Sequence, residues 1–260
     1  MAWFEQKAQI ESNQLTLIHI TDSHVFANHD GEYFNVNTVN YLRKTLERIK
    51  LIDCDAIIFG GDLTQDHSEE SYHLFAQLVV DAGLADKLFW LPGNHDELDV
   101  YHRVFTQYGI ASCKLLQNAY WQVLLANSKG PTPAGLICET HFTEIASELN
   151  NSEKFTLVFT HHHPIAINGY LDKHILENGD ELLCLLSRHS HVKGLVHGHV
   201  HNEYSWLFDG FAVFATPATS IQFEKNTPDW QQVDLGPAFR VIRLQQNGSI
   251  NTQVVWLNNA

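Results

Sequence analysis

The sequence predicts an α/β fold in which two stacked sheets lie between helices, on three observations. Short, continuous apolar runs recur along the chain, as expected of strands covered on both faces. Helical patterns lie between several of these runs. After residue 200 the texture changes to paired, hairpin-like runs. One layered α/β domain accommodates both textures.

Taken in order, the strand-like runs fall at residues 15–21, 56–59, 88–91, 121–126, 155–160 and 192–196. Residues 37–49 place Val39, Leu42, Leu46 and Ile49 at helical spacing. Residues 68–82 form a helical stretch with a cap candidate in Ser68 and a stop in Gly83. Residues 96–108 read as a helix ending at Gly109, and residues 177–187 present Leu182, Leu183, Leu185 and Leu186. Beyond these, Trp206-Leu207-Phe208, Asp209-Gly210 and residues 211–215 read as a hairpin with a tight turn. Residues 239–244, Asn247-Gly248 and residues 252–257 read as another. Residues 227–237 are the most loop-like stretch. With no linker, repeat or low-complexity tract, residues 1–260 are expected to form a single domain.

Composition narrows the function classes. At 44% hydrophobic, the chain can bury a substantial core. Its net charge of −14, from 16 Lys and Arg against 30 Asp and Glu, argues against a nucleic-acid partner, which needs clustered cations. A small anion remains possible if metal cations sit in the cleft. No apolar stretch approaches the ~20 residues that span a bilayer, so no membrane partner is expected. The first residues carry acidic side chains and lack the apolar core of a signal peptide, which points to a cytoplasmic protein. Cys54, Cys113, Cys138 and Cys184 are widely spaced and suit free thiols in a reducing compartment better than a zinc or redox motif.

Five short clusters carry the chemistry: Asp22-Ser23-His24, Gly61-Asp62, Gly93-Asn94-His95-Asp96, His161-His162-His163-Pro164 and Gly198-His199-Val200-His201. Each follows a strand-like run. Singly, each also reads as a turn, a solvated strand end or a surface histidine run. As a set they supply two Asp, one Asn and several His, enough to hold two divalent metals, an arrangement suited to hydrolysing phosphate esters. Asp62 is the natural bridging carboxylate, and Gly60-Gly61 before it lets the backbone pass close to the metals. In an extended segment Asp22 and His24 would share one face, as would His199 and His201. Asn94 offers a neutral carbonyl oxygen. His95 then projects toward a substrate, where it could protonate a leaving oxygen. His29, His67, His73, His102, His141, His189 and His191 lack such context and read as surface residues.

This series resembles the calcineurin-like metallophosphoesterases. Ile20-Thr21-Asp22-Ser23-His24, Val36-Asn37-Thr38, Gly61-Asp62-Leu63-Thr64-Gln65-Asp66, Leu91-Pro92-Gly93-Asn94-His95-Asp96, His161-His162-His163-Pro164 and Ala215-Thr216-Pro217 resemble the bacterial class III 3′,5′-cyclic-AMP phosphodiesterases in particular. The similarity runs from about residue 15 to 257. It implies a four-layer αββα sandwich of two mixed sheets with metals at the strand ends. It implies that Asp22, His24 and His201 hold one metal, that Asn94, His161 and His199 hold the other, and that Asp62 is shared. His161 is preferred to His162 because the family's metal histidine stands three before the proline. His95 becomes the catalytic histidine, and His24, Asp62, Asn94, His95 and His201 lie next to the substrate phosphate. His197 falls outside the match and reads as a supporting or buried residue.

The implied cofactors are two divalent ions, iron and/or manganese. The nitrogen and oxygen donors would also accept zinc or cobalt. The implied reaction is hydrolysis of cyclic AMP to 5′-AMP by a metal-bridging hydroxide. The alternatives are another small phosphoester, such as a glycerophosphodiester or a nucleotide, or a non-catalytic scaffold of the same fold. Protein phosphatases of this superfamily carry an Arg after the Gly-Asp motif that Gly61-Asp62-Leu63-Thr64-Gln65-Asp66-His67 lacks. Candidates for stacking on a base are Phe26, Tyr33, Phe34 and Phe223.

Overall fold

The computed structural model describes residues 2–257. One sheet has five strands in the spatial order Ile250–Trp256, Ala238–Leu244, Leu15–Ile20, Ala56–Phe59 and Leu88–Trp90. Its last three strands run parallel, and the C-terminal hairpin joins their edge antiparallel. The other sheet has seven strands in the order Lys7–Gln9, Leu115–Gln117, Trp121–Leu125, Phe155–Thr160, Val192–His197, Phe211–Ala215 and Tyr204–Phe208. Trp121–Leu125, Phe155–Thr160, Val192–His197 and Phe211–Ala215 are mutually parallel.

The packing makes four layers. Between the sheets, Leu15, Leu17, Ala56 and Ile58 meet Val123, Leu125, Leu157, Phe159 and Val196. On the outer face of the five-stranded sheet, Ile18, Ile20, Ile57 and Phe59 pack on helices Thr38–Ile49, Glu69–Asp81 and Leu98–Gln107. On the outer face of the seven-stranded sheet, Leu124, Val158, Leu195 and Val213 pack on helices Glu139–Asn150 and Gly179–Ser187. The central strands are therefore buried on both faces, which is why their sequences are continuous apolar runs rather than alternating ones. The sandwich expected from the sequence is the one observed.

Local signals explain the helix starts. Asn37 accepts from the Asn40 amide at 2.8 Å, and Ser68 from the Ser71 amide at 3.3 Å. Each such cap is worth about 1 kcal/mol. The helix expected over 96–108 spans Leu98–Gln107 instead, because the Asp96 side chain is engaged in the preceding loops. Helix Glu139–Asn150 and strands Lys7–Gln9 and Leu115–Gln117 were not expected from the sequence. A short pair, Gln222–Phe223 with Gln232–Val233, interrupts the stretch that reads as most loop-like. No helix among the described residues is long and apolar enough to cross a membrane.

This topology assembles the site. Leu15–Ile20, Ala56–Phe59, Leu88–Trp90, Phe155–Thr160 and Val192–His197 each end within four residues of one of the histidine and aspartate clusters. The loops at the carboxyl ends of parallel strands from two facing sheets thus open onto one crevice, the usual ligand position in open α/β sheets.

Candidate metal centre

Asp22, His24, Asp62, His161, His199 and His201 are all buried and converge. One group is Asp22, His24 and His201, and another is Asp22, Asp62 and His161. His201 Nε2 lies 3.2 Å from Asp22 Oδ1 and 3.2 Å from His24 Nε2. His161 Nε2 lies 3.2 Å from Asn94 Oδ1 and 3.2 Å from His199 Nδ1. Asp62 Oδ2 stands between these sets, 3.8 Å from His24 Nε2 and 3.4 Å from His161 Nε2.

Each carboxylate has one oxygen engaged and one turned inward. Asp22 Oδ2 accepts from Thr21 Oγ1 at 2.6 Å and from the His199 amide at 3.1 Å, while buried Oδ1 has no hydrogen-bond partner. Asp62 Oδ1 accepts from the His95 amide at 2.9 Å, leaving Oδ2 toward the histidines. The imidazoles are oriented in the same way. His161 Nδ1 donates to Gly60 O at 2.8 Å and His201 Nδ1 to Ile221 O at 2.7 Å. In a neutral imidazole, a ring nitrogen that donates to a carbonyl leaves the other with its lone pair, so in their neutral forms both rings would present Nε2 lone pairs inward. The unpartnered inward oxygen of Asp22, the inward oxygen of Asp62 and imidazole nitrogens that present lone pairs once neutral fit cations. The all-nitrogen-and-oxygen set suits first-row divalent metals.

Without a cation the charges compensate one another. Burial opposes ionisation of Asp22, but His201 and His161 outweigh it and hold the carboxyl at about 2. Asp62 is held well below the usual carboxylate range, against its burial, by His161 and His95. Burial likewise works against protonation of His161, yet Asp62 and Asp22 raise it to about 9. Burial dominates at His24, lowering it to about 3.

The backbone at these residues departs from the sequence expectation. Asp22, His24, Asp62, His199 and His201 have φ of 55°, 45°, 55°, 64° and 49°. The paired residues converge through left-handed turns, not along the extended segments that the i, i+2 argument assumed. Such conformations cost of order 1–3 kcal/mol each and persist where the surroundings over-determine them. Here the Asp22 amide donates to Gly61 O at 2.9 Å and the His24 amide to Asp62 O at 3.1 Å. Gly61 has φ 97°, and a Cβ there would run into the backbone of Gly93, so the two loops touch only because neither residue carries a side chain.

The calcineurin-like phosphoesterase profile matches residues 15–203. The chain belongs to this family. It is 47% identical to a probable cyclic nucleotide phosphodiesterase of Pseudoalteromonas sp. (strain SM9913), over 99% of this chain and 100% of the relative. It is 34% identical to the 3′,5′-cyclic adenosine monophosphate phosphodiesterase CpdA of Vibrio vulnificus, over 94% of this chain and 91% of that protein. In fold it is similar to a dimetal phosphatase from Danio rerio, with TM-score 0.61 and 12% identity over 93% of this chain and 98% of that one. Membership in this family implies divalent metals, and the geometry described above accommodates them.

Several residues of this phosphoesterase do work that the sequence reading did not assign. Asp96 is fully buried. Its carboxylate accepts from the amides of Asp62 at 2.7 Å, Leu63 at 2.8 Å and Gly93 at 2.8 Å, and from the Tyr101 hydroxyl at 3.2 Å. It ties together the loops that carry Asp62 and Asn94. His67, expected on the surface, is exposed but stacks parallel on His95 at 5.3 Å and bonds His95 O through Nδ1 at 2.9 Å. Lys129 donates to Asn94 O at 2.9 Å. His141, also expected on the surface, is buried and receives the Asn127 amide at 2.9 Å. Its Nδ1 meets the partly exposed Glu144 carboxylate at 2.9 Å and its ring packs on Trp3 and Phe4, so it takes no part in the centre. His197 is buried as expected. His162 lies in the nitrogen cluster with His161 and His199. Its own nitrogens face Ser128 Oγ at 2.9 Å and Pro133 O at 3.3 Å. Of the proposed stacking aromatics, Tyr33 and Phe223 line the cavity above the centre.

Proposed function

We propose that this phosphoesterase hydrolyses 3′,5′-cyclic AMP to 5′-AMP at two divalent cations. The observation that carries the reading is the position of Asp62 Oδ2 between a nitrogen of each cluster, at 3.8 and 3.4 Å. The relatives named for cyclic nucleotides, which match over nearly their whole length, support the substrate. On this reading Asp22, His24, His201 and Asp62 hold one cation, and Asp62, Asn94, His161 and His199 hold the other. When bound, the two cations neutralise phosphate charge and activate the attacking water.

The chain's own residues do the rest. His24, Asp62, Asn94 and His201 keep their inward atoms fixed so that the phosphate meets a preorganised centre. His95 lines the same cavity, with its Nδ1 buried and without a partner, and it donates a proton to the departing 3′-oxygen. The stacked His67 fixes the ring plane of His95. Iron and manganese, singly or as a pair, are the proposed physiological metals. The chain is read as one metallophosphoesterase domain acting in the cytoplasm, in keeping with its four free cysteines.

The test is to load the protein with iron or manganese and assay cyclic AMP, cyclic GMP, bis(p-nitrophenyl) phosphate and p-nitrophenyl phosphate. The expected result is release of 5′-AMP from cyclic AMP. Hydrolysis of the aryl diester with cyclic AMP untouched overturns the substrate. Activity on none of the four overturns the hydrolase.

A further inference from the structure

The centre accounts for a phosphate but leaves the rest of the substrate unplaced. We propose that Trp230, with Tyr33 and Phe223, forms a stacking subsite that selects phosphoesters bearing a planar nucleobase. This proposal rests on the reading of the centre as a phosphoesterase site. The centre opens into a cavity of about 230 Å³. Its floor is made of Asp62, Asn94 and the histidines, and its wall includes Tyr33, Phe223 and Trp230.

The wall is continuous with the floor. His24 stacks on Tyr33 at 4.9 Å, and Tyr33 meets Phe34 at 4.7 Å. On the other side His201 meets Phe223 at 4.5 Å, and Phe223 meets Trp230 at 4.5 Å. Phe34 and Trp230 close the circuit at 5.9 Å, and His24 and His201 close it below at 5.1 Å. Six rings therefore form a loop rooted on two histidines of the metal centre. A group attached to a phosphate held at that centre is delivered against aromatic surface.

Exposure singles out the mouth of this loop. Trp230 is 38% exposed and Phe34 40%, whereas Trp90 and Trp121 of the core are fully buried. Trp230 therefore contributes less to core packing than those residues while presenting its ring at the cavity entrance. The segment carrying it is anchored. Gln222–Phe223 pairs with Gln232–Val233, Asn202 donates to Phe223 O, and the Tyr41 hydroxyl bonds the Asp234 carboxylate at 2.8 Å. The wall is thus preformed. Among the described residues no Lys or Arg lines the cavity, and outside the centre His174 is the one basic group there, so the wall offers a flat uncharged ring more than it offers a second anion. A glycerophosphodiester has no such ring to place there.

The test compares 5′-AMP with ribose 5-phosphate, which share the phosphate and sugar and differ by the base. Affinities are measured by calorimetry and by competitive inhibition on the manganese-loaded protein. The wild type should bind 5′-AMP at least about tenfold more tightly than ribose 5-phosphate. Trp230→Ala should weaken 5′-AMP about tenfold and leave ribose 5-phosphate within about twofold, with metal content and Tm unchanged. Trp230→Phe should restore most of the loss. Equal wild-type affinity for both ligands overturns the proposal. So does a Trp230→Ala effect that is absent or the same for both. The base preference stands or falls independently of turnover: a wild type that prefers 5′-AMP but leaves cyclic AMP intact rejects cyclic-AMP hydrolysis and keeps the subsite.

Discussion

The floor and the mouth of the cavity are built on opposite principles. On the floor, Asp22, Asp62, His161, His199 and His201 are buried, and hydrogen bonds fix most of their outward-facing atoms. At the mouth, Phe34 and Trp230 are partly exposed and held by ring contacts. The floor tolerates little change because each atom has one productive position and strained turns place it. The mouth works through area and flatness, which several side chains can supply. Substitutions on the floor should therefore abolish function in large steps, and those at the mouth should shift preference in small ones.

The sharpest way to break this contrast is Asp62→Ala. It removes the oxygen placed between the two clusters and the acceptor for the His95 amide. Turnover should fall by roughly 10³-fold or more, and metal content should drop below that of the wild type. Retained metal stoichiometry with near-normal turnover would show that Asp62 joins nothing. His95→Ala comes next. Turnover should fall by roughly 10²- to 10⁴-fold while both metals stay bound, as expected for loss of a proton donor. Unchanged turnover would remove His95 from the chemistry.

A smaller effect is expected at Asp96, which touches neither the cavity nor an inward-facing atom of the centre. Replacing it with Ala leaves the buried amides of Asp62, Leu63 and Gly93 without their acceptor. Supporting residues of this kind typically contribute about 10- to 100-fold in metal affinity or activity. Metal titration and Tm should both fall in Asp96→Ala. Wild-type metal affinity with only a lower Tm would make Asp96 a purely structural residue.

The same contrast explains what could be read from the sequence. The floor was legible because chemistry restricts the residue types and the strands fix their spacing: Asp-x-His, Gly-Asp, Gly-Asn-His-Asp and Gly-His-x-His each follow an apolar run. The left-handed turns were not legible. Asp and His adopt that conformation without a glycine to announce it, so the extended reading of Asp22 and His24 was natural but mistaken. The role of Asp96 was hidden because a carboxylate that accepts backbone amides leaves no periodic trace. Trp230 escaped notice because an aromatic in a stretch with Pro228 and Pro237 looks like loop decoration. Helix Glu139–Asn150 was missed because few of its residues are both apolar and buried, chiefly Ile145 and Leu149.

The smallest expected effect concerns pH, and it separates floor from mouth a second time. His19 points between the sheets below the centre, its Nδ1 2.6 Å from Thr216 Oγ1. Burial, aided by Arg240, lowers it from 6.5 to about 3. His197 is lowered by burial to about 3 as well. Between pH 6.5 and 3 these imidazoles are neutral in the folded chain and protonated in the unfolded one. The unfolded state then binds more protons, so stability falls as pH drops through that window. In chelator-treated protein, which removes the contribution of cation release, Tm should decline steadily from pH 6.5 toward 4, within the range set by these shifts. His19→Gln removes one of the titrating groups and should make that decline shallower. Trp230→Ala, at the uncharged mouth, should leave it as in the wild type. A His19→Gln slope equal to the wild type would mean that His19 is not held neutral by burial, and the loss of stability at low pH would have to come from other groups.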